Sequence, residues 1–356
     1  MRVGILTFHS VTNYGAVMQC YGVQELCREL YPGADVEVIN YQPKKASRHY
    51  FRKHVIEGKE YSYFFKLYRF WSFVRKRMNL SGKKITDTPS LAALGKAYDA
   101  IIVGSDEVWK ISKIRGWDEN YFLGFADASR TRLISYAASS NYGTDYGGRE
   151  DRIAELLSRF SNIGVRDDFT QQHIQALVSQ AVTEVLDPTL VADMSALRLN
   201  GRVFSQPYIL IYASMHKKDL KVIKRWADEK GWSIVAIGYK VKVADDVYMT
   251  CKPEVWLNLI ENAELVVTHY YHGMLLSLKS NTPVIPIYNK SKSAKVIGFA
   301  KKFSFEEKVR TDLQGLTLES VDEVSVQLSD FSEELKQHIH QSREFMKRAL
   351  EPVSRN

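Results

Sequence analysis

The sequence has little cysteine and no long apolar run. Its 356 residues include three cysteines, Cys20, Cys27 and Cys251, and no CxxC pair, so a disulfide framework is not expected and a reducing compartment is favoured. No stretch approaches the roughly 18 apolar residues needed to cross a bilayer. The N-terminus turns polar too early for a signal peptide. We therefore expect a cytoplasmic protein without a membrane span.

Acidic residues are scarce between positions 44 and 84, which hold thirteen Lys or Arg and two Glu. The whole chain has a formal charge of +8, so the remainder is mildly acidic. A basic segment of this kind can contact anionic lipid head groups, nucleic acid or a phosphorylated substrate. Because the excess charge is local and no recognised nucleic-acid motif accompanies it, we expect no nucleic-acid partner.

Residues 60–80 combine this basic charge with many aromatic side chains. The pattern predicts a helix with the composition of an interfacial helix. Two interpretations are open. The helix either packs its aromatics on the first lobe as a flap, or it makes a peripheral contact with an anionic membrane at the inner face of the plasma membrane.

Short β-branched runs alternate with amphipathic helical stretches, which is typical of parallel βαβ units. A length of 356 residues with 45% hydrophobic and 25% charged content indicates two globular domains. We predict an α/β fold of two lobes with a cleft between them. The first is residues 1–200, including a helical insertion at about 44–84, and the second is residues 201–356, including a C-terminal helix.

The predicted strands are continuous apolar runs, as expected for sheets covered on both faces. In the first lobe they are Val3 to Phe8, Val36 to Asn40, Ala100 to Val103, Leu133 to Ala137, Ile163 to Arg166 and Thr183 to Leu186. In the second lobe they are Tyr208 to Ala213, Ser233 to Gly238, Leu265 to Thr268 and Val284 to Tyr288. Ligands of open parallel sheets bind outside the carboxyl ends of such strands.

The turn after the first strand contains His9, Asn13 and Gly15. Gly15 permits close backbone approach and the next helix N-terminus favours an anion, so Asn13 and Gly15 are candidates to line a phosphate or sugar site. A purely structural turn with Asn13 as the helix cap is equally consistent with these residues.

A second polar cluster follows the strand at 100–103 and contains Ser105, Asp106, Glu107 and Trp109. The two carboxylates could bind sugar hydroxyls or act as a base, and Trp109 could stack on a sugar ring. Capping and packing are the structural alternative for the same residues.

A third cluster follows the strand at 265–268, where His269, Tyr270, His272 and Gly273 precede a helical stretch. A histidine exchanges protons near neutral pH, and the helix N-terminus would hold an anion beside it. His272 is therefore the candidate catalytic residue. The two histidines have no other nearby ligands, so we expect no metal site.

Positive charge near the strand ends is offered by Arg166 and by the lysines at 290, 292 and 295. Loop lysines are usually only solvated. Arg166, Lys292 and Lys295 nevertheless become candidates for binding an anionic donor.

Taken together, these segments resemble the polysaccharide pyruvyl transferase family in the family's order. The matching segments are Thr7-Phe8-His9, Asn13-Tyr14-Gly15-Ala16 with Gln19, Gly104 to Trp109, Val165-Arg166-Asp167, Val185 to Leu190 and His272-Gly273. The resemblance implies a glycosyltransferase-B-like pair of Rossmann-like lobes. It also implies transfer of pyruvate from phosphoenolpyruvate to two hydroxyls of a sugar as a ketal, with no cofactor and no metal.

The last motif departs from the Arg-Leu-His-Gly of many family members. His272 and Gly273 match, whereas Tyr270 and Tyr271 stand at the first two positions. The arginine is a plausible ligand for the donor's phosphate or carboxylate, and tyrosine offers only a neutral hydroxyl. Either Arg166, Lys292 or Lys295 supplies the charge, or the donor differs.

We predict a transferase in bacterial-type surface polysaccharide synthesis with His272 as general acid or base. Arg166, Gly273, Lys292 and Lys295 would bind the donor. Residues proposed to line the acceptor side are His9, Asn13, Gly15, Ser105, Asp106, Glu107, Trp109, His269 and Tyr270. The acceptor is a glycan or a lipid-linked oligosaccharide. The alternatives are a glycosyltransferase that uses a nucleotide sugar and a non-catalytic glycan- or membrane-binding protein.

Overall fold

A computed structural model of the chain describes residues 1–45, 62–111, 116–141, 146–289 and 294–351. Its internal contacts divide the chain into two units. Unit 1 comprises Met1–Tyr63, Phe70–Asp193 and His338–Asn356, and unit 2 comprises Phe64–Arg69 and Met194–Gln337. Each unit is built around a parallel β-sheet.

The sheet of unit 1 has the strand order β2-β1-β3-β4-β5-β6, and all its neighbours run parallel. The strands are β1 (Arg2–Leu6), β2 (Asp35–Val38), β3 (Ala100–Val103), β4 (Arg132–Ala138), β5 (Asn162–Val165) and β6 (Val182–Glu184). Strand β3 is buried along its whole length, because helices cover both faces of a parallel sheet.

The helices of unit 1 follow the strands. They are α1 (Tyr14–Leu30), α2 (Ser62–Arg77), α3 (Thr88–Gly95), α4 (Glu150–Leu157), α5 (Asp168–Gln175) and α6 (Pro188–Val191), with a 3₁₀ turn at Glu119–Phe122. Within α2, Phe64–Arg69 are assigned to unit 2. Several begin on a side-chain cap: the Asn13 side chain accepts from Ala16 N, and Asp87 and Asp167 cap α3 and α5 in the same way. These caps satisfy amides at the helix starts.

The sheet of unit 2 has the order β11-β10-β7-β8-β9 and is also parallel. Its strands are β7 (Tyr208–Tyr212), β8 (Ser233–Ile237), β9 (Asp246–Tyr248), β10 (Leu265–Thr268) and β11 (Val284–Pro286). Its helices are α7 (Lys217–Lys230), α8 (Pro253–Glu261), α9 (Tyr271–Lys279), α10 (Ala294–Lys302) and α11 (Val321–Val324), and 3₁₀ turns lie at Ser195–Leu197, Glu306–Lys308 and Leu328–Phe331.

The strand order of each sheet reverses at one place. In unit 1 the chain moves from β1 outward to β2 and then returns to β3 on the other side of β1. In unit 2 it moves from β7 through β8 to β9 and then returns to β10. Ligands of open α/β sheets bind outside the carboxyl ends of the strands at such switch points, so the β1/β3 and β7/β10 edges are the places to look for a site.

The C-terminal helix, α12 (Ser332–Leu350), differs from the prediction that it belongs to the second lobe. From His338 onward its residues belong to unit 1. The Ser342 hydroxyl accepts from Leu186 N at 2.9 Å, and Arg343 pairs with Glu29 at 2.7 Å. The division also falls between Asp193 and Met194, not at 200/201.

The three cysteines are buried free thiols. Burial raises the pKa of Cys27 to about 12 and raises that of Cys20 further, so neither is a reactive nucleophile. Among the described residues no group of three or more His, Cys, Asp or Glu could hold a metal. None of the described helices has the length and apolar character that a membrane crossing requires.

Candidate active site

A buried hydrogen-bond network joins β1, α1 and β3 at the switch point of unit 1. The Thr7 hydroxyl donates to Ser105 O at 2.7 Å, and Gln19 Nε2 donates to the Thr7 hydroxyl at 3.1 Å. The Ser105 hydroxyl in turn donates to Gln19 Oε1 at 2.6 Å. Ser105, one of the residues predicted to line the acceptor side, is fully buried, and its hydroxyl is used within the fold to link β3 to α1.

The backbone then turns sharply at Gly104 and Asp106. Gly104 has a φ of +110°, and an added Cβ would lie 2.3 Å from Tyr136 O, so only glycine fits. The Asp106 carbonyl accepts from Val108 N at 2.8 Å and Ser139 N at 3.0 Å. The Asp106 and Glu107 side chains remain 15% and 20% exposed, and Glu107 pairs with Lys110 at 3.2 Å.

Arg166 lies in a buried ion pair. Its guanidinium is 3.1 Å from Asp187 Oδ2 and 3.9 Å from Asp106 Oδ1, and the side chains of Arg166 and Asp187 are 2% and 0% exposed. Asp187 also accepts from the amide and hydroxyl of Thr189. The structure thus corrects the prediction of a donor-binding Arg166, because a side chain buried against carboxylates is not presented to a ligand.

His9 and Trp109 are also buried, against the prediction that they line the acceptor side. The two ring nitrogens of His9 lie 3.1 Å from Asn40 Oδ1 and 3.3 Å from Thr7 O. Burial lowers the pKa of His9. Trp109 donates through Nε1 to Tyr121 O at 2.9 Å and belongs to the core, so it is not available to stack on a sugar.

Asn13 and Gly15 begin helix α1. The Asn13 side chain is exposed and caps the helix by accepting from Ala16 N at 3.3 Å. Within the fold it is therefore the helix cap, as the structural interpretation of this turn proposed. Gly15 is buried in the first turn. The predicted residues of unit 1 that reach the surface at the β1/β3 edge are therefore Asn13, Asp106 and Glu107.

The switch point of unit 2 lies where β10 ends and α9 begins. The Thr268 hydroxyl donates to Tyr212 O at 2.8 Å and accepts from Tyr270 N at 3.0 Å, which links the ends of β7 and β10. Gly273 fits closely beneath this link, since an added Cβ would lie 2.8 Å from Thr268 Oγ1 and 3.0 Å from Tyr212 Cδ1. Its role in the fold is to allow α9 to approach the sheet.

An aromatic cluster of Tyr212, Tyr239, His269 and Tyr270 surrounds this edge. Tyr270 stacks on Tyr212 with ring centroids 4.4 Å apart, and the His269 ring lies 4.3 Å from Tyr270. The hydroxyls of Tyr239 and Tyr270 share a hydrogen bond. Burial raises the pKa of Tyr270, so this residue contributes a neutral hydroxyl, and no positive charge, where the family motif often has arginine.

His269 is buried within the cluster, so the prediction that it lines the acceptor side is wrong. Tyr212 and Tyr239 were not among the predicted site residues. Tyr212 is the next-to-last residue of the predicted strand Tyr208 to Ala213, and Tyr239 directly follows the predicted strand Ser233 to Gly238, so position at a strand end would have been the signal for both.

His272 lies in the first turn of α9 and is half-buried. Its ring is 5.3 Å from that of Tyr271, at 75°. Tyr270 is the N-cap residue of the helix, its side chain makes no capping bond, and the first turn contains no acidic residue. The imidazole thus sits beside backbone amides whose partial positive charge favours an anion.

Lys295 is half-buried in the first turn of α10. Lys292 lies outside the described residues. The structure therefore brings Gly273, His272 and Tyr270 together at the β7/β10 edge of unit 2, and it brings Asp106, Glu107 and the residues of the Thr7 network together at the β1/β3 edge of unit 1.

Comparison with known structures defines the class of fold. The chain is similar to the Anabaena protein HepE in complex with UDP, with a TM-score of 0.55 and 8% sequence identity. It is also similar to the UDP-GlcNAc 2-epimerase of Neisseria meningitidis bound to UDP-GlcNAc, with a TM-score of 0.51 and 11% identity. Each comparison covers 98% of this chain and 99% of the other. The Methanocaldococcus jannaschii UDP-GlcNAc 2-epimerase gives 0.52 at 12% identity over 91% of both chains. The protein has two Rossmann-like α/β units and a glycosyltransferase-B-like fold.

The family follows from the sequence. Residues 13–291 match the model of the polysaccharide pyruvyl transferase family, and the chain belongs to that family of transferases. No curated protein matches it in sequence.

Proposed function

We propose that this protein transfers the pyruvyl group of phosphoenolpyruvate to two hydroxyls of a sugar acceptor, forming a ketal. The observation that carries the proposal is the position of His272, which lies half-buried at the switch point of unit 2 in the first turn of α9, within the range matched by the family model. The helix N-terminus favours the anionic phosphoenolpyruvate, and the histidine beside it can protonate the carbon of that substrate.

The reaction would begin when the imidazolium of His272 protonates the methylene carbon of phosphoenolpyruvate. Positive charge then develops on the adjacent carbon, and a sugar hydroxyl attacks it and loses its proton to the imidazole. Departure of inorganic phosphate regenerates the electrophilic carbon, and a second hydroxyl closes the ketal and releases its proton. His272 thereby acts first as acid and then as base, because an imidazole nitrogen can both give up and accept a proton.

The donor's negative charge would be balanced by the amides at the start of α9 and by Lys295, with Lys292 as a further candidate. Arg166 is not needed in this role, because its guanidinium is engaged with Asp187. The neutral Tyr270 hydroxyl would offer the donor a hydrogen bond in place of the ion pair that arginine provides.

The acceptor sugar would be oriented by Asn13, Asp106 and Glu107. These side chains remain accessible at the β1/β3 edge, and carboxylate and amide groups are suited to sugar hydroxyls. We propose that the enzyme acts in the cytoplasm on a glycan or lipid-linked oligosaccharide intermediate of bacterial-type surface polysaccharide synthesis.

The direct test is incubation with phosphoenolpyruvate and a panel of glycans, with mass spectrometry of the acceptor and a colorimetric assay of inorganic phosphate. We expect an acceptor carrying one pyruvate ketal for each phosphate released. Replacing His272→Gln should lower turnover by about 10²- to 10⁴-fold, the usual contribution of a general acid. The control is His340→Gln, at an exposed histidine of α12, which should leave turnover unchanged. Full activity of the folded His272→Gln variant would contradict the assignment.

A nucleotide sugar is the alternative donor, and the observation that favours it is the absence of arginine at Tyr270. Tyr270 is partly exposed and stacks on the buried Tyr212, so its ring could contact a flat ligand. The same assay separates the two reactions, because a nucleotide sugar releases a nucleoside diphosphate and transfers a glycosyl group. Nucleoside diphosphate formation without pyruvate transfer would replace the proposed reaction with this one.

A further inference from the structure

Helix α2 presents an aromatic face to solvent. Phe64, Phe65, Tyr68 and Trp71 are 56%, 62%, 62% and 55% exposed. Positions 64, 68 and 71 follow the i, i+4, i+7 spacing of one helix face, and Phe65 lies beside it. Large exposed apolar groups in such a cluster mark an interaction surface.

The C-terminal half of the same helix is held by the core of unit 1, whereas Phe64–Arg69 are assigned to unit 2. Phe70 and Phe73 are buried, with the Phe70 ring 4.8 Å from Tyr14 and the Phe73 ring 6.3 Å from Tyr21. The interpretation of α2 as a flap packing its aromatics on the first lobe therefore describes Phe70 and Phe73. It does not describe the aromatic face, which remains exposed while the helix is anchored.

The charged residues between positions 62 and 84 have one sign. Between positions 62 and 84 the sequence contains seven Lys or Arg and no Asp or Glu. Arg75, Lys76 and Lys83 are exposed, and the Arg75 guanidinium lies 5.0 Å from the centre of the Trp71 ring. The positive charge of Arg75 is therefore directly beside an exposed aromatic, and Lys76 and Lys83 are near it in the sequence.

We infer that helix α2 binds an anionic lipid bilayer, with the aromatic face at the level of the head groups and the flanking basic residues on the lipid phosphates. Tryptophan and tyrosine favour that depth, and basic residues near it are attracted to anionic head groups. Protein interfaces are enriched in aromatics and arginine but depleted in lysine. Because four of the seven basic residues between positions 62 and 84 are lysines, a protein partner fits less well. A second copy of the chain would bring two basic surfaces together, which like-charge repulsion disfavours.

Bilayer binding narrows the class of acceptor. A helix that lies on the bilayer would keep the enzyme where a sugar chain attached to a lipid is found, so the acceptor would be lipid-linked. That second step rests on the proposed transfer reaction, whereas the binding of α2 to lipid does not.

The test is sedimentation of the full-length protein with vesicles of phosphatidylcholine, with or without an equal share of phosphatidylglycerol. We expect binding to the mixed vesicles, weakening in high salt, and little binding to phosphatidylcholine alone. The variant R75Q/K76Q/K83Q should lower the partition coefficient by roughly a hundredfold. The variant F64S/F65S/Y68S/W71S should lower it by at least about tenfold, and circular dichroism should show that its fold is kept.

Matched controls lie in unit 2. The variant K217Q/K218Q/K221Q removes three exposed lysines of α7, and L199S/V203S/Y288S removes three other exposed apolar residues. Both should bind vesicles like the unchanged protein. If the folding of the aromatic variant is impaired, the basic variant tests the inference by itself.

Equal binding to both vesicle types, no binding to either, or wild-type binding by R75Q/K76Q/K83Q would overturn the inference. So would a solution dimer that F64S/F65S/Y68S/W71S dissociates while vesicle binding is absent. Because the sedimentation uses neither donor nor acceptor, its outcome is separate from that of the proposed reaction. In the transfer assay, the aromatic variant should keep its turnover on a water-soluble glycan and lose it on a lipid-linked glycan in vesicles.

Discussion

Replacing Arg166 with methionine removes the positive charge from a buried ion pair and leaves the carboxylate of Asp187 in the core. Methionine fills much of the same volume without a charge. If Arg166 is structural, the main effect is on the stability of unit 1. If it binds the donor, as the sequence alone had indicated, the main effect is on donor affinity.

The magnitude follows from the geometry of the pair. Both side chains are at most 2% exposed, with the guanidinium 3.1 Å from Asp187 Oδ2, and removing one partner of such a pair costs about 3–5 kcal/mol. Asp187 keeps its bonds from Thr189, so we expect a value near the lower limit, about 3 kcal/mol. Adding Asp187→Asn to Arg166→Met removes the uncompensated charge and should restore part of the lost free energy of unfolding.

The assay is urea-dependent hydrogen exchange measured by mass spectrometry on peptides covering β4 and β5, which reports unit 1 separately from unit 2. The double variant should be more stable than the sum of the two single changes predicts, as expected for coupled residues. The Kd of this double variant for phosphoenolpyruvate should equal that of the unchanged protein. A stable Arg166→Met variant with lost donor binding would refute the structural role and restore Arg166 to the donor site.

Two further predictions concern His9 and Gly273. Gly273→Ala should destabilise unit 2 by about 1–2 kcal/mol, because the new Cβ would lie 2.8 Å from the hydrogen-bonded Thr268 side chain. Overpacking of this kind outweighs the gain in helix propensity. Thermal unfolding measures the loss of stability. Burial lowers the pKa of His9 from its ordinary 6.5, so the unfolded chain takes up its proton first as pH falls. The free energy of unfolding of unit 1 should therefore be constant above pH 6.5 and fall below it by up to about 1.4 kcal/mol per pH unit, and His9→Gln should flatten that slope in urea titrations.

The controls for these two predictions are direct. Gly33→Ala adds a Cβ with nothing within 4 Å and should leave the melting temperature unchanged, so an equal loss at Gly33 and Gly273 would contradict the packing argument. A slope in the His9→Gln variant as steep as in the unchanged protein would assign the pH dependence to other groups.

The strands were largely predictable from the sequence. The apolar runs that became β1, β3, β7 and β10 were located to within about two residues, because strands covered on both faces are continuously hydrophobic. Strand β9 (Asp246–Tyr248) was missed. Its residues are only partly buried, so it lacks the hydrophobic run that marks the others.

The sequence also located the strand ends that carry the candidate site, since polar residues after an apolar run are visible without a structure. It did not decide which of those side chains reach solvent. Ser105, Trp109 and Arg166 are buried because partners distant in the chain satisfy them: Gln19, Tyr121 and Asp187, respectively. Such pairings depend on which segments the fold brings together, and no local pattern encodes them.

The same limit applies to the helices. The amphipathic stripe of α12 predicted a helix but not the unit that covers it, because an apolar stripe is compatible with either hydrophobic surface. In α2 the sequence established the aromatic and basic composition. Only the tertiary structure separated Phe70 and Phe73, which anchor the helix, from the four aromatics that remain exposed, because side-chain burial depends on the surface against which the helix packs.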